Sequence, residues 1–156
     1  MTRDRLREEI DIELENLTRC VNAVEELLRI ATTREVTMYE RAGAALILSQ
    51  YYNGIENILK RICRASKSKM PTGENSHVEL FELFVEERGA GFPVLFPPSI
   101  RQGYIELRRF RHYVHHGYAF QLEWERLTKG ISALRALFDE FRNRVENFLN
   151  EESLPQ

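Results

Sequence analysis

The spacing of apolar residues is the feature that most constrains the fold, because it follows the period of an α-helix at both ends of the chain. Near the N-terminus, apolar residues recur in steps of four and three at Ile10, Leu14, Leu17, Val21, Val24 and Leu28. Near the C-terminus, helical spacing recurs at Leu127, Ile131, Leu134, Leu137, Phe138, Phe141, Val145 and Phe148. This spacing gathers apolar side chains on one face of a helix, and no segment alternates as a strand does. The pattern predicts an all-α up-down bundle of four to five helices.

Residue signals at the segment ends predict where the helices begin and end. The expected helices cover about 3–31, 35–65, 77–87, 100–116 and 121–150. The centre of the second helix, residues 44–48, is apolar nearly all round, which predicts the most buried element. Ser76, with Glu79 three residues later, matches a capping box, and Ser99 is expected to cap the fourth helix. Gly117 is expected to end that helix in the left-handed conformation.

Length and composition indicate one folded domain. The 156 residues are enough for a single substantial core, expected within residues 1–150 and followed by a flexible tail at 151–156. Hydrophobic residues make up 43% and charged residues 29%, which is typical of globular proteins. Cys20 and Cys63 lack a metal-binding or redox spacing, so both are expected to be reduced thiols. The charged N-terminus and the absence of a run of roughly 20 apolar residues predict a cytoplasmic protein without a membrane span.

The segment 111–118 is the strongest candidate for chemistry, because three of the four histidines lie close together in it. It reads Arg-His-Tyr-Val-His-His-Gly-Tyr. Arginine is a permanent cation whose planar fork binds phosphate, and histidine exchanges protons near neutral pH. These are the two groups that cleavage of a phosphodiester needs when no metal takes part.

Two basic runs accompany this segment, although a net charge of -2 excludes a uniformly basic protein. The first run contains Lys60, Arg61, Arg64, Lys67 and Lys69. The second contains Arg101, Arg108, Arg109 and Arg111. Two local basic patches fit an RNA groove in which Lys60, Arg64, Arg108 and Arg109 support binding. Ordinary solvated helix faces explain the two runs equally well.

The order Arg111, four residues, His116, one residue, Tyr118 resembles the Arg-x4-His-x-Tyr motif of the HEPN superfamily, and specifically of HepT-type toxin ribonucleases. The run Tyr-Tyr-Asn-Gly-Ile-Glu-Asn-Ile-Leu-Lys at 51–60, the helical pattern and the position of the motif before the last helix extend the resemblance over nearly the whole chain. The resemblance implies that Arg111 binds phosphate and His116 transfers protons, at a cleft between two subunits. It also implies that a minimal nucleotidyltransferase antitoxin adds AMP to Tyr118.

Arg111 and His116 are not expected to meet on one straight helix. Five residues turn a helix by about 500°, so the two side chains would point roughly 140° apart. Either the helix ends near His116 or two subunits share the site. His115, one turn from Arg111, is an alternative proton carrier, and His112 is a further supporting residue. His112 and His116 also have the spacing of helical zinc ligands with Glu123 as a third, and a histidine cluster without chemistry is the remaining alternative.

The sequence therefore predicts a homodimeric, metal-independent endoribonuclease, the toxin of a prokaryotic toxin–antitoxin pair, with no cofactor. Its expected partners are cellular RNA, tRNA before mRNA, and a nucleotidyltransferase antitoxin. The alternatives are a non-catalytic HEPN module that binds a nucleotide or docks a nucleotidyltransferase, and a plain helical dimerisation protein. Because Arg111 and His116 are expected to face a cleft at a helix end, alanine at either position is expected to cost little stability.

Overall fold

The computed structural model describes residues 2–88 and 92–151, and these residues form five α-helices and no strand. The helices are α1 (Arg3–Ala31), α2 (Met38–Ala65), α3 (Ser76–Glu82), α4 (Pro98–His116) and α5 (Trp124–Asn150). A 3-10 turn, Ala119–Gln121, separates α4 from α5. The all-α prediction is confirmed, whereas residues 152–156 of the predicted tail lie outside the described residues. None of the described helices is long and apolar enough to cross a membrane.

Helices α1, α2, α4 and α5 form the bundle. Helix α1 packs against α2 and α5, and α4 packs against the same two helices. Side-chain contacts join the end of α2 to the start of α1, the start of α1 to the end of α5, and the end of α4 to the start of α5. The end of α4 also contacts the first half of α2. Neighbouring helices of the bundle therefore run antiparallel, as the up-down prediction requires.

Helix α1 buries one face along its whole length. Its buried residues are Leu6, Ile10, Leu14, Leu17, Val21, Val24 and Leu27. Leu28, which the spacing places in the same stripe, is half-buried and packs against the edge of the core. The heptad-like spacing therefore predicted the core face correctly over most of the helix.

Helix α2 is the central element and has more buried residues than any other helix of the described chain. It begins after Thr37, whose hydroxyl accepts the backbone N–H of Glu40 while the Glu40 carboxylate accepts the N–H of Thr37. This reciprocal capping box satisfies two backbone donors at the helix start. The prediction that α2 is the most buried element is confirmed, although Leu46 at its centre is 54% exposed.

The predicted starts of α3 and α4 are wrong by one or two residues. Asn75 precedes α3, so Ser76 lies inside the helix, and no side chain caps it. Helix α3 is also shorter than predicted, because the chain continues only as turns after it. Pro97 precedes α4 in place of Ser99, because Pro98 has the fixed φ and the missing N–H that suit a first helical turn.

Gly117 ends α4 as predicted, but its conformation is not left-handed. Its φ of -110° and ψ of 173° are those of extended backbone, from which the chain enters the 3-10 turn. A Cβ atom at this position would lie 3.2 Å from the carbonyl oxygen of Tyr113. The close approach of the backbone, and not a positive φ, therefore favours glycine here.

Two tyrosine hydroxyl groups form a chain of hydrogen bonds in the core. The Tyr104 hydroxyl donates to the carbonyl oxygen of Leu137 at 3.0 Å and lies 2.8 Å from the Tyr51 hydroxyl. Because the Tyr104 O–H donates to the carbonyl oxygen of Leu137, the Tyr51 O–H donates to the Tyr104 oxygen. Burial raises the pKa of both hydroxyl groups. The chain ties α2, α4 and α5 together at the level of the aromatic core.

Tyr104→Phe should lower the free energy of unfolding by about 1–3 kcal/mol, because it leaves the buried Tyr51 O–H without its acceptor. Urea denaturation followed by circular dichroism measures this difference. Tyr39→Phe is the matched control, since Tyr39 is exposed and the same loss of a hydroxyl should change little. Equal denaturation midpoints for the two variants would contradict the prediction.

The cysteines of the fold carry free thiols. Burial raises the pKa of the Cys63 thiol to about 11 and also raises that of Cys20. A thiol is a nucleophile only as the thiolate, and a raised pKa makes the thiolate rare at neutral pH. Neither cysteine is therefore a candidate for nucleophilic chemistry.

Candidate functional site

Arg111 lies on the face of α4 that packs against α2. Its Nη1 donates to Asn53 Oδ1 at 2.8 Å and to Glu56 Oε1. The Tyr52 ring stacks on the guanidinium, with 4.8 Å between the ring centroid and Cζ. The side chain is only 12% exposed. Arg111 is thus a largely buried residue with partners on α2, and the expectation that it is a surface arginine is wrong.

Glu56 is the buried carboxylate of this site, with 3% of the residue exposed. A carboxylate removed from water is costly unless charged and hydrogen-bonding partners surround it. Both oxygens of Glu56 have such partners, because Oε1 accepts from Arg111 and Oε2 lies 2.6 Å from His77 Nδ1. His77 belongs to the first turn of α3. The carboxylate therefore joins α2, α3 and α4.

The surroundings of His77 Nδ1 determine where its ring carries the proton. This nitrogen lies 2.6 Å from Glu56 Oε2 and 3.2 Å from Arg111 Nη2. If Nδ1 carries a proton, it donates that proton to the Glu56 carboxylate. If Nδ1 carries no proton, its lone pair faces the negative Glu56 Oε2, which is closer than Arg111 Nη2. Electrostatics therefore favours Nδ1–H. The lone pair of the neutral ring is then on Nε2, and the ring is half-exposed.

One edge of the Arg111 guanidinium is left open by these contacts. Nη1 uses its hydrogens on Asn53 and Glu56. Nη2 and Nε form another edge, and with a proton on His77 Nδ1 neither nitrogen has an acceptor among residues 2–88 and 92–151. Two parallel N–H groups match two oxygens of a phosphate. Arg111 is therefore fixed on one side and able to bind an anion on the other.

His116 lies on a different face of α4 from Arg111. The helix stays α-helical through His116, whose exposed ring lies against the ring of His112 with centroids 4.2 Å apart. His115 instead points to α2, where its Nε2 lies 3.1 Å from Ser49 Oγ. Helix α4 thus presents Arg111 and His115 to α2, and His112 and His116 to solvent. The helix does not unwind early enough to bring Arg111 and His116 together within one chain.

Tyr118 lies just beyond the end of α4 and is 68% exposed. Its ring stacks on the equally exposed ring of Phe120, with centroids 5.4 Å apart and planes 6° from parallel. Its backbone N–H donates to Gln121 Oε1 at 3.1 Å, which holds the segment in the 3-10 turn. An accessible phenol and two parallel aromatic faces therefore stand next to His116.

Arg108 is the one supporting arginine that lies beside Arg111. Its guanidinium packs over the Phe81 ring, 5.2 Å from the centroid, and its buried Nη1 has no hydrogen-bond partner within the described part of the chain. The buried Tyr52 hydroxyl lies near Arg108 and likewise forms no hydrogen bond of good geometry among these residues. Burial raises the pKa of Tyr52 to about 12, and the charges of Arg108 and Arg111 act in the opposite direction. The site thus has two arginines, Arg111 over the Tyr52 ring of α2 and Arg108 over the Phe81 ring of α3.

The other supporting residues lie elsewhere. Arg109 lines a groove of about 530 Å³ between α4 and α5, which Leu48 of α2 also lines. Lys60 and Arg64 lie in the last turns of α2, and neither forms an ion pair with a residue that the structure describes. Arg61 between them is neutralised by carboxylates of α1. The basic run on α2 is therefore divided between a structural arginine and two available cations.

Three residues of this site, Asn53, Glu56 and His77, were not predicted from the sequence. Asn53 and Glu56 lie in the run 51–60 and are three residues apart, a spacing that places two polar side chains on one face of a helix. Two polar residues on one face of the largely apolar helix α2 could have indicated a site on that face. His77 gave none, because it stands alone in a polar segment 34 residues before Arg111.

The zinc alternative has no third ligand in the described structure. Within residues 2–88 and 92–151, no group of three or more His, Cys, Asp and Glu side chains is arranged to hold a metal ion. His112 and His116 are neighbours, but Glu123 does not complete a ligand set with them.

A sequence model of the family described as HepT-like protein matches residues 43–151. The match covers 109 of the 156 residues and includes both the run 51–60 on α2 and the motif on α4. The chain belongs to the HepT-like family. Its all-helical bundle agrees with the HEPN-type fold that the motif implied. Neither a curated protein nor a solved structure matches the chain.

Proposed function

We propose that this HepT-like protein is a homodimeric, metal-independent endoribonuclease and the toxin of a prokaryotic toxin–antitoxin pair. Membership of the HepT-like family supports the toxin class. The observation that carries the activity is the edge of Arg111 that has no acceptor, in a guanidinium that exposed Asn53 and buried Glu56 of α2 hold in place. The proposed substrate is cellular RNA, with tRNA before mRNA.

RNA supplies its own nucleophile, the 2'-hydroxyl group, so that the protein needs only proton transfer and a cation. A base removes the 2'-hydroxyl proton, the oxygen attacks phosphorus, and an acid protonates the leaving 5'-oxygen. Each proton transfer by a positioned side chain contributes roughly 10²–10⁴ in rate. The products are a 2',3'-cyclic phosphate and a 5'-hydroxyl group.

Arg111 is suited to stabilise the negative charge that develops on the non-bridging phosphate oxygens. A donor contributes most when it is fixed before the reaction, because no free energy is then spent on reorienting it. Asn53 and Glu56 fix Nη1, and the Tyr52 ring fixes the plane of the guanidinium. Only the Nε and Nη2 edge remains to bind the phosphate. The buried ion pair thus holds the phosphate-binding group in a fixed position.

His116 is proposed to act in the active site of the partner subunit. It is exposed and lies on a different face of α4 from Arg111 of its own chain. A two-fold dimer that joins the exposed face of α4 to the open edge of Arg111 would bring His116 of one subunit to Arg111 of the other. Two equivalent sites would then lie in one cleft.

The surface next to the motif fits single-stranded RNA. The parallel rings of Tyr118 and Phe120 offer the kind of face on which nucleobases stack. Lys60 and Arg64 add cations that can neutralise phosphates along the strand. RNA recognition by stacking and phosphate contact suits an enzyme of slightly acidic overall charge.

Tyr118 is proposed to be the residue that a nucleotidyltransferase antitoxin modifies with AMP. Its phenol is accessible on an exposed turn, which a modifying enzyme requires. An added AMP would place a negative phosphate two residues from His116 and would compete with RNA for the arginines. Modification at this position would therefore switch the nuclease off.

Purified protein should cleave tRNA in the presence of EDTA, because the proposed groups are arginine and histidine and no metal is needed. Ligation of the fragments should require prior removal of the cyclic phosphate and phosphorylation of the 5'-end. His116→Ala is the control for contaminating ribonuclease and should be inactive. Activity that EDTA abolishes and zinc restores would favour the His112 and His116 metal site. Nucleotide binding without cleavage would favour a non-catalytic module.

A further inference from the structure

We propose that His77, held by Glu56, is a second proton-transfer residue of the site and acts as the general base. This inference rests on the proposed ribonuclease function. Its basis is geometric, because the His77 ring is half-exposed and its Nδ1 is 2.6 Å from a buried carboxylate and 3.2 Å from the phosphate-binding arginine. The motif on α4 contains none of these features.

The Glu56–His77 pair has the arrangement of a carboxylate that orients a catalytic imidazole. Glu56 accepts Nδ1–H, which fixes the tautomer and the plane of the ring. When Nε2 takes up a proton, the same carboxylate stabilises the imidazolium that forms. Among the described residues Nε2 has no hydrogen-bond partner, so that its lone pair is available to a ligand. A half-exposed histidine that a buried carboxylate orients in this way is able to accept a proton from a bound ligand.

The position of His77 places its ring beside the proposed phosphate site, with Nδ1 3.2 Å from Arg111 Nη2 and Nε2 on the other side of the ring. Arg111 Nη2 is both the neighbour of His77 and part of the edge left open for phosphate. A phosphate bound at that edge would therefore lie beside the His77 ring. The 2'-hydroxyl group of the same nucleotide is the nearest proton donor that the substrate would bring.

The reaction needs two proton transfers, and the dyad accounts for the first. His77 Nε2 takes the proton of the 2'-hydroxyl as that oxygen forms its bond to phosphorus. The bond from phosphorus to the 5'-oxygen breaks, and the 5'-oxygen takes a proton from His116 of the partner subunit's motif. Atoms and charge balance without a metal or a co-reactant. The two histidines then have separate roles on opposite sides of the phosphate.

The pH dependence of cleavage separates this role from a purely structural one. The charged groups that face His77 from other helices are Glu56 of α2 and Arg111 of α4, and Glu74 and Glu79 lie in its own segment. A base must be unprotonated and an acid protonated, so the rate of the wild-type enzyme should rise and then fall with pH. The loss of a proton from His77, the base, should cause the rise in rate, and the loss of a proton from His116, the acid, should cause the fall.

The test compares His77→Gln with the wild-type protein in single-turnover cleavage of tRNA from pH 5 to 9, the range in which histidine titrates. The variant should lose roughly 10²–10⁴ in the maximal single-turnover rate constant with little change in the protein concentration that gives half of this rate, and the rise on the acidic side should disappear. Added imidazole should restore part of the activity of His77→Ala. Glu79→Gln, an exposed change two residues along α3, is the control and should keep the wild-type profile.

The outcomes distinguish this inference from the function on which it rests. Cleavage by the wild-type protein, together with an unchanged pH profile in His77→Gln, would overturn the dyad and leave the nuclease intact. Absence of cleavage by the wild-type protein at every pH would overturn both. Should His77→Gln fold poorly, rescue of His77→Ala by imidazoles of different basicity still decides, because catalysis by a general base follows the basicity of the added base, whereas refilling of a cavity does not.

Discussion

Arg111→Ala is expected to lower the free energy of unfolding by about 3–5 kcal/mol, as well as abolish cleavage. The substitution removes the charge that faces Glu56, which is 3% exposed, and leaves a buried carboxylate without its principal partner. It also removes the face that covers the Tyr52 ring. Chemical denaturation of the purified variant measures the loss. The result would replace the expectation from the sequence that alanine here is harmless.

Two further variants show whether the buried pair causes this loss. Arg109→Ala removes an exposed arginine from the same helix and should change stability by about 0.5 kcal/mol or less. Adding Glu56→Gln to Arg111→Ala removes the stranded charge and should recover about 0.5–3 kcal/mol. An Arg111→Ala protein as stable as the Arg109→Ala control would show that the ion pair does not stabilise the fold.

The same reasoning determines which variant tests catalysis. Arg111→Ala confounds lost activity with lost stability, so the informative change is Arg111→Lys, which keeps a cation opposite Glu56. A lysine ammonium group that binds Glu56 of α2 cannot also present two parallel N–H groups to a phosphate. Loss of roughly 10²–10³ in kcat, with a smaller fall in the thermal midpoint than Arg111→Ala causes, is the pattern of a lost transition-state donor.

The bundle was predictable from the sequence because helical periodicity is a local property. The stripes on α1 and α5 have an apolar residue every three or four positions, and burial follows them closely. The helix ends were harder, since several residues near each end are able to cap it. At α4, Ser99 matched a capping pattern, but the preceding Pro98 already had the backbone geometry of a first turn. Local signals compete within two or three residues, and side-chain identity alone does not rank them.

The site was predictable only in part, because its contacts are not local. The motif located Arg111, yet its partners Asn53 and Glu56 are 58 and 55 residues away in sequence. The burial of Arg111 depends on how closely α4 approaches α2, which no motif encodes. The 140° separation of Arg111 and His116, in contrast, follows from helix geometry alone. The structure adds what lies around each residue: Arg111 contacts α2, and His116 faces solvent beside His112.

Mixing two inactive variants should restore cleavage if the site is shared between subunits. In a two-fold dimer with an Arg111→Lys subunit and a His116→Ala subunit, one site contains both changes and the other contains neither. With random exchange, half of the dimers are mixed and each has one intact site, so the mixture should reach roughly a quarter of wild-type activity. Each variant alone should remain near zero. His116 is exposed, and Arg111→Lys keeps the buried charge pair, so both subunits should fold and exchange.

The comparison that decides this prediction uses a third subunit that carries both Arg111→Lys and His116→Ala. Mixed with wild-type protein, it also gives dimers with the two changes in one chain. In a shared site, such a dimer has Arg111→Lys at one site and His116→Ala at the other, so both sites are broken and only wild-type homodimers are active. In a site built within one chain, the pattern reverses: this dimer keeps one intact site, and the mixture of single variants has none. The ratio of the two activities therefore assigns Arg111 and His116 to the same chain or to different chains, independently of how active the enzyme is.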